Sequence, residues 1–202
     1  MLALLVFAVA IFSGLRPGVT ISAEPPSVEK GIFAGGCFWC MEEAFEEVPG
    51  VQSVVSGYTG GVQPNPTYEQ VSAGGTGHAE SVEVTFDPAM VSYEKLLDVF
   101  WRNVDPTTPD RQFCDRGTQY RPAIFYRNDG QKELAEASRR RIEETKTFQD
   151  ALRVEIAPAS TFYQAEEYHQ NFYKRNPIRY KFYKFNCGRA KRLEELWGAK
   201  AG

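Results

Sequence analysis

The sequence predicts an α+β fold, a mixed β-sheet with helices packed on it, all in one domain. Three observations point to it. Between residues 30 and 157, runs with strand character take turns with segments whose apolar residues recur at helical spacing. The joints between them are mostly short and rich in turn-forming residues. The 202 residues, 43% hydrophobic and 24% charged, suffice for one full core, and no internal repeat or low-complexity tract divides them.

Taken in order, Lys30 to Ala34 is a short apolar strand that runs into Gly35-Gly36. Cys37 then opens a helix whose stripe is Phe38, Met41, Phe45 and Val48, and Pro49-Gly50 ends it. Val51 to Tyr58 reads as a strand, and GYTGGVQPNPTY is a loop crowded with turn residues. His78 to Phe86 alternates, with Val82, Val84 and Phe86 on one face and Ser81, Glu83 and Thr85 on the other. Tyr93, Leu96, Leu97, Phe100 and Trp101 form the stripe of a helix that Ser92 can cap. Asp105 to Gln119 is polar and aperiodic, long enough to be a functional loop. Arg121 to Arg127 is a strand, Asp129 to Thr147 a charged helix, and Arg153 to Ala157 another strand. From Glu166 a tail follows with a short helix around His169, the aromatic run YKFYKF, and a last helix from Arg189 to Trp197.

The N-terminal MLALLVFAVAIFSGL has no charged side chain and is too short to span a bilayer comfortably, so residues 1–23 are expected to be a secretory signal cut after Ala23. An uncleaved anchor is the alternative, and either places the protein outside the cytoplasm or on a membrane. Residues 24–30 then form a linker, and the folded domain is 31–202. A net charge of -3 argues against an electrostatic hold on nucleic acid or acidic lipid. The basic run Arg139-Arg140-Arg141 is flanked by acids and reads as a solvated helix face. Four cysteines, Cys37, Cys40, Cys114 and Cys187, are few for an exported domain of this size, which favours reactive thiols over stapling disulfides.

GGCFWC carries the chemistry. A CxxC is a redox pair, a metal pair or a plain piece of helix, and a bulky Phe-Trp spacer needs its own reason. Zinc is disfavoured, because no second CxxC or spaced histidine pair accompanies it. Cys37 follows two glycines at a helix start, where unpaired amides and the helix dipole favour an anion, so its thiolate is expected to be stabilised. Trp39 falls with Glu42, Glu43 and Glu46 rather than on the apolar stripe, which frees it to line a pocket. Phe38 lies on the stripe and can serve both core and pocket. Glu80 shares a strand face with Val82, Val84 and Phe86; it reads equally as a protonated general acid and as a strand-end carboxylate that reaches solvent. His78 reads as structural.

GGCFWC, GYTGGVQPNPTY, GTGHAESVEV, DRGTQYRPAIFY and FYQAEEYHQNFY together, in that order and spacing, resemble the peptide methionine-S-sulfoxide reductase family from about Gly31 to the C-terminal helix. The resemblance implies a two-layer α/β sandwich around a mixed sheet, a ferredoxin-like core with long loops and a C-terminal tail. It implies Cys37 as nucleophile, and Phe38 and Trp39 as the pocket for the substrate methyl. Glu80, Tyr68, Tyr120 and Asp115 match positions that bind or protonate the sulfoxide oxygen or hold the substrate backbone. The reaction it implies leaves Cys37 as a sulfenic acid, which a second thiol converts to a disulfide. Thioredoxin or a similar dithiol would restore the enzyme. No metal or organic cofactor is implied, and a monomer is expected.

Two positions depart from the family's commonest pattern. Many members have a resolving cysteine four residues after the proline of a late Asn-Pro, where this chain has Lys181 after Asn176-Pro177. Cys187 is the nearest late replacement and the favoured resolver. Cys40, where many members have glycine, is kept as a possible relay, and Cys114 is the least favoured candidate. The competing functions are a thioredoxin-like CxxC disulfide oxidoreductase and a sulfoxide-binding module without turnover.

Overall fold

The computed structural model describes residues 28–198. The expected signal, 1–23, and most of the expected linker lie outside them. The linker's end is corrected: strand β1 spans Glu29–Gly35, because Glu29 and Lys30 pair with Phe86 and Thr85 of the neighbouring strand.

The core runs β1, α1 (Phe38–Glu46), β2 (Val51–Thr59), α2 (Tyr68–Ala73), β3 (Ala79–Phe86), α3 (Tyr93–Arg102), then β4 (Arg111–Gln112), β5 (Asp115–Arg116) and β6 (Pro122–Tyr126). In the sheet β6, β1, β3 and β2 lie side by side, all antiparallel, which is the ferredoxin-like arrangement. After α4 (Asp129–Thr145), β7 (Glu155–Pro158) adds parallel to β6 at one edge, and β8 (Tyr163–Gln164) adds to β2 at the other. One parallel pair makes the sheet mixed. β4 and β5 form a separate two-residue hairpin inside the 105–119 loop, an element that so short a run does not announce.

Hydrophobic burial sets the layers. Phe33, Val54, Val82, Val84, Phe86 and Ile124 face Met41 and Phe45 of α1, Leu96, Leu97, Phe100 and Trp101 of α3, and Ala135 and Ile142 of α4. The opposite face buries a smaller set, Ile32, Ala34, Ala79, Ala123 and Phe125, under Ala157, Ala159 and Phe162. β1 therefore reads as a continuous apolar run, since both of its faces are covered. Ser92 caps α3 as expected, its hydroxyl accepting from Lys95 N.

Two helices were not expected. α2 starts at a capping box in which Thr67 and Gln70 bond reciprocally, a signal present in the sequence as Thr-x-x-Gln. α6 (Pro177–Asn186) contains YKFYKF; it begins with Pro177 at a first-turn position and follows the short α5 (Phe172–Arg175). α7 (Arg189–Trp197) closes the chain as expected. The buried amide of Gln170 pins this tail to β2, accepting from Ser56 N at 3.0 Å and donating to Ser56 O at 2.9 Å. The tail thereby lies across the N-terminus of α1.

Candidate active site

Gly36 brings the first helix to the end of the sheet. Its φ of +79° is left-handed, and a Cβ there would collide with Gln112. The chain turns sharply, with Cys37 as the N-cap of α1 and its carbonyl accepting from Cys40 N at 3.1 Å. β3 begins beneath this turn. The Phe38 amide, one of the first-turn donors that a helix leaves unpaired, donates to Glu80 Oε2 at 3.1 Å.

Around Cys37 lies a cavity of about 60 Å³ lined by Cys37, Phe38, Trp39, Tyr68, Glu80, Asp115, Tyr120 and Tyr183. Seven of these are the nucleophile, acid and substrate residues expected from the sequence. A larger hollow of about 600 Å³ between α3 and α4 is lined by Asp98 and Arg141, which are ion-paired, and contains no thiol. The small cavity is where the chemistry lies.

Each wall has an identifiable support. Trp39 donates its indole N–H to His169 Nδ1 at 3.1 Å and stacks on Phe172 with ring centroids 3.7 Å apart. Phe38 is fully buried and does serve both core and cavity. Tyr68 sits at the start of α2, where its amide donates to Glu166 and its ring lies against His169. Asp115 is delivered by the β4–β5 hairpin and accepts from the Tyr183 hydroxyl. Gln112 holds that loop by bonding both the amide and the carbonyl of Asp105. His78 is structural, with its two ring nitrogens engaged by Gly61 N and Gln63 O.

The electrostatics decide what the groups can do. Glu80 is only 3% exposed, and burial, with Asp115 and Cys40 adding to it, pushes its carboxyl up to about 8 despite the Phe38 amide. It is protonated at neutral pH, so the solvated alternative falls. Burial likewise raises the Tyr68 phenol to about 12 and Tyr120 further still, so both keep a proton to donate.

The surroundings of Cys37 oppose the thiolate expected there. Burial pushes the Cys37 thiol well up, with Cys40 and Glu80 adding to the rise. Cys40, packed beside the Cys37 thiol and facing Arg189 and Lys184, falls to about 6. The two thiols titrate as a pair, and their surroundings favour the negative charge on Cys40 over Cys37. The sequence could not anticipate this, because Arg189 is brought in from α7.

The structure also pairs the late cysteine unexpectedly. Cys114 and Cys187 form a disulfide with Cα atoms 4.8 Å apart, while Cys37 and Cys40 are free. In this state Cys187, the favoured resolver, is bonded elsewhere. Among the described residues the only cluster of potential metal ligands is Cys114, Asp115 and Cys187, whose two sulfurs are spent on the disulfide. Tyr183 was missed entirely. Reading residues 177–187 at helical spacing would have placed Tyr180, Tyr183 and Cys187 on one face.

A thiol pair beside a buried protonated carboxyl, in a cavity with one aromatic wall and three phenols, defines a cysteine-based oxidoreductase acting on a small group with a polar oxygen. The family model described as peptide methionine sulfoxide reductase matches residues 29–201. A peptide methionine sulfoxide reductase MsrA of Bacillus subtilis is 55% identical over 172 residues, covering 85% of this chain and 97% of that protein. One from Listeria monocytogenes is 52% identical over 171 residues, with the same coverage of 85% and 97%. Among solved structures, reduced Mxr1 from Saccharomyces cerevisiae superposes with a TM-score of 0.71 at 29% identity, over 79% of this chain and 92% of that one. Methionine sulfoxide reductase A of Corynebacterium diphtheriae gives 0.67 at 33%, over 79% of each chain. The chain belongs to the peptide methionine sulfoxide reductase family.

Proposed function

We propose that the protein reduces the S epimer of methionine sulfoxide, free or within proteins, to methionine, using thiols as the electron source and so repairing oxidised proteins. The observation that carries this reading is the protonated Glu80 carboxyl set beside the Cys37 thiol in the aromatic-walled cavity. Phe38 and Trp39 take the substrate methyl, and Asp115 holds its backbone. Cys37 passes its proton to the Cys40 thiolate and attacks the sulfoxide sulfur. Glu80, helped by Tyr68 and Tyr120, protonates the oxygen, which passes as a hydroxyl from the substrate sulfur to the Cys37 sulfur as the bond between the two sulfurs breaks. Methionine leaves, Cys37 becomes a sulfenic acid, and Glu80 recovers a proton from solvent.

Cys40 supports the next step better than the Cys187 favoured from sequence, because it already contacts Cys37 while Cys187 is held by Cys114. Condensation of the Cys40 thiol with the sulfenic acid forms the Cys37–Cys40 disulfide and releases water. Since Cys37 is an N-cap outside the helix proper, the pair has the placement of other CxxC disulfides at helix starts. A thioredoxin-type dithiol protein returns the enzyme to its reduced form. Incubating the protein with dithiothreitol and each epimer of a blocked methionine sulfoxide is expected to release methionine from the S epimer alone. No release from that epimer would sink the reading.

The apolar N-terminal segment supports export, with the protein delivered to an oxidising compartment or held at a membrane. Protein purified from the exporting cell is expected to begin at Glu24. A mass that retains Met1 would point to an anchor or to a cytosolic form.

A further inference from the structure

We propose that the outer face of α6 is a docking surface for an anionic lipid bilayer, which Ile178, Phe182 and Phe185 enter while the cationic side chains beside them meet the lipid phosphates. Exposure is the first observation. A helix packed on a domain turns its apolar stripe inward. α6 does so with Tyr180, buried over the start of α1. Yet Ile178, Phe182 and Phe185 are 86%, 71% and 84% exposed. At helical spacing these three fall within about 60° of one another, on the side away from Tyr180 and Tyr183. The other large apolar side chains exposed among the described residues, Val28, Val62, Met90 and Tyr168, stand singly, as on any soluble surface. Among the described residues only α6 carries an apolar ridge.

Charge is the second observation. From Tyr168 to Leu193 the chain has eight lysines and arginines and no acidic residue, so the net charge of -3 averages a basic tail with an acidic remainder. Lys174, Arg175 and Lys184 are ion-paired with Glu46, Glu167 and Glu43. Arg179 and Lys181 are exposed, one on each flank of the ridge, and form no ion pair among the described residues. Between Arg175 and Arg179 lies a groove of about 520 Å³ whose other walls are Asn176, Pro177, Ile178 and Phe182. Guanidinium donors beside apolar walls match a lipid headgroup, a phosphodiester attached to hydrocarbon.

The two observations together favour a bilayer over an acidic protein. A protein must offer a pocket shaped to the ridge, whereas a bilayer receives a convex apolar stripe of any shape. Long cationic side chains on both flanks, whose stems reach back to the headgroups as the stripe sinks, are the arrangement of an interfacial helix. The export or anchoring proposed above would bring this face to such a surface. Tyr183, on the inner side of the same helix, lines the cavity. Docking would therefore hold the cavity about one helix diameter, ~10 Å, from the headgroups, beside oxidised methionines of proteins that lie on the membrane.

Vesicle binding by the chain from Glu24 onwards tests this. That form keeps every residue the family model matches, 29–201, and lacks the apolar segment that would bind lipid by itself. It is expected to sediment with vesicles of equal parts phosphatidylglycerol and phosphatidylcholine, and far more weakly with phosphatidylcholine alone. Ile178→Gln/Phe182→Gln/Phe185→Gln should weaken binding at least about 100-fold. Arg179→Gln/Lys181→Gln should weaken it at least about tenfold. Both variants should keep the wild-type Tm and the wild-type rate on a soluble blocked methionine sulfoxide, since none of the five residues lines the cavity. Equal binding to both kinds of vesicle, unchanged binding by the triple variant, or no vesicle binding by the wild type overturns the proposal. Binding to polyglutamate in place of vesicles would make the face a dock for an acidic protein and overturns it too. The reductase reading stands apart from all of these outcomes and fails only if no form releases methionine.

Discussion

Cys37→Ser is expected to reduce methionine formation to background, a loss on the order of 10⁴-fold or more, with the fold unchanged. Serine is slightly smaller than cysteine and changes no backbone requirement, so the sharp turn and the Phe38–Glu80 hydrogen bond remain. What disappears is the only sulfur that lines the cavity. Cys40 cannot substitute, because it is buried among Tyr180, Lys184 and Arg189 and does not line the cavity. Substrate binding should persist, since Trp39, Phe38 and the tyrosines are untouched. The measurement is methionine release with dithiothreitol, alongside thermal unfolding as a control. Appreciable turnover by a well-folded variant would remove Cys37 from the role of nucleophile.

Glu80→Gln is expected to lower kcat by about 10²- to 10⁴-fold with little change in KM. The amide oxygen can still accept from Phe38 N, so the local structure is kept, but the proton for the departing oxygen is lost. That proton matters chiefly in the transition state, which is why the loss should fall on kcat. A raised KM at normal kcat would make Glu80 a binding residue. In the wild type the active form has Glu80 protonated, so activity should fall as pH rises through about 8. It should also fall below about 6, where Cys40 takes up a proton and can no longer accept the one on Cys37. The variant should lose the upper limb and keep the lower. Stability has the same origin: a carboxyl raised from 4.5 to about 8 costs the wild type stability as pH rises between those values. The variant should therefore gain in Tm relative to the wild type at pH 8 compared with pH 5.

Much of the site was legible because its signals are local. Alternation in β3 placed Glu80 on the buried face, and helical spacing separated Trp39 from the core stripe; both depend only on the geometry of one element. The same holds for the Ser92 cap. The helix made of YKFYKF was not legible, because a lysine at every third position among aromatics gives so short a run no distinct apolar face of either period. Only packing of Tyr180 and Tyr183 over α1 selects the helix.

By itself the sequence determined the family and the main strands and helices of the core, and it named the residues that line the small cavity. These rest on periodicity and on motifs a few residues long, where backbone geometry alone says which side chains share a face. Tertiary structure decided where the charge of the thiol pair resides and which cysteines bond. Arg189 lies far along the chain from Cys40 yet faces it, and Cys114 and Cys187 are 73 residues apart yet bonded. A pKa and a disulfide both depend on distances of a few ångströms between elements that are remote in the chain. Those distances exist only once α6 and α7 are laid across the end of the sheet.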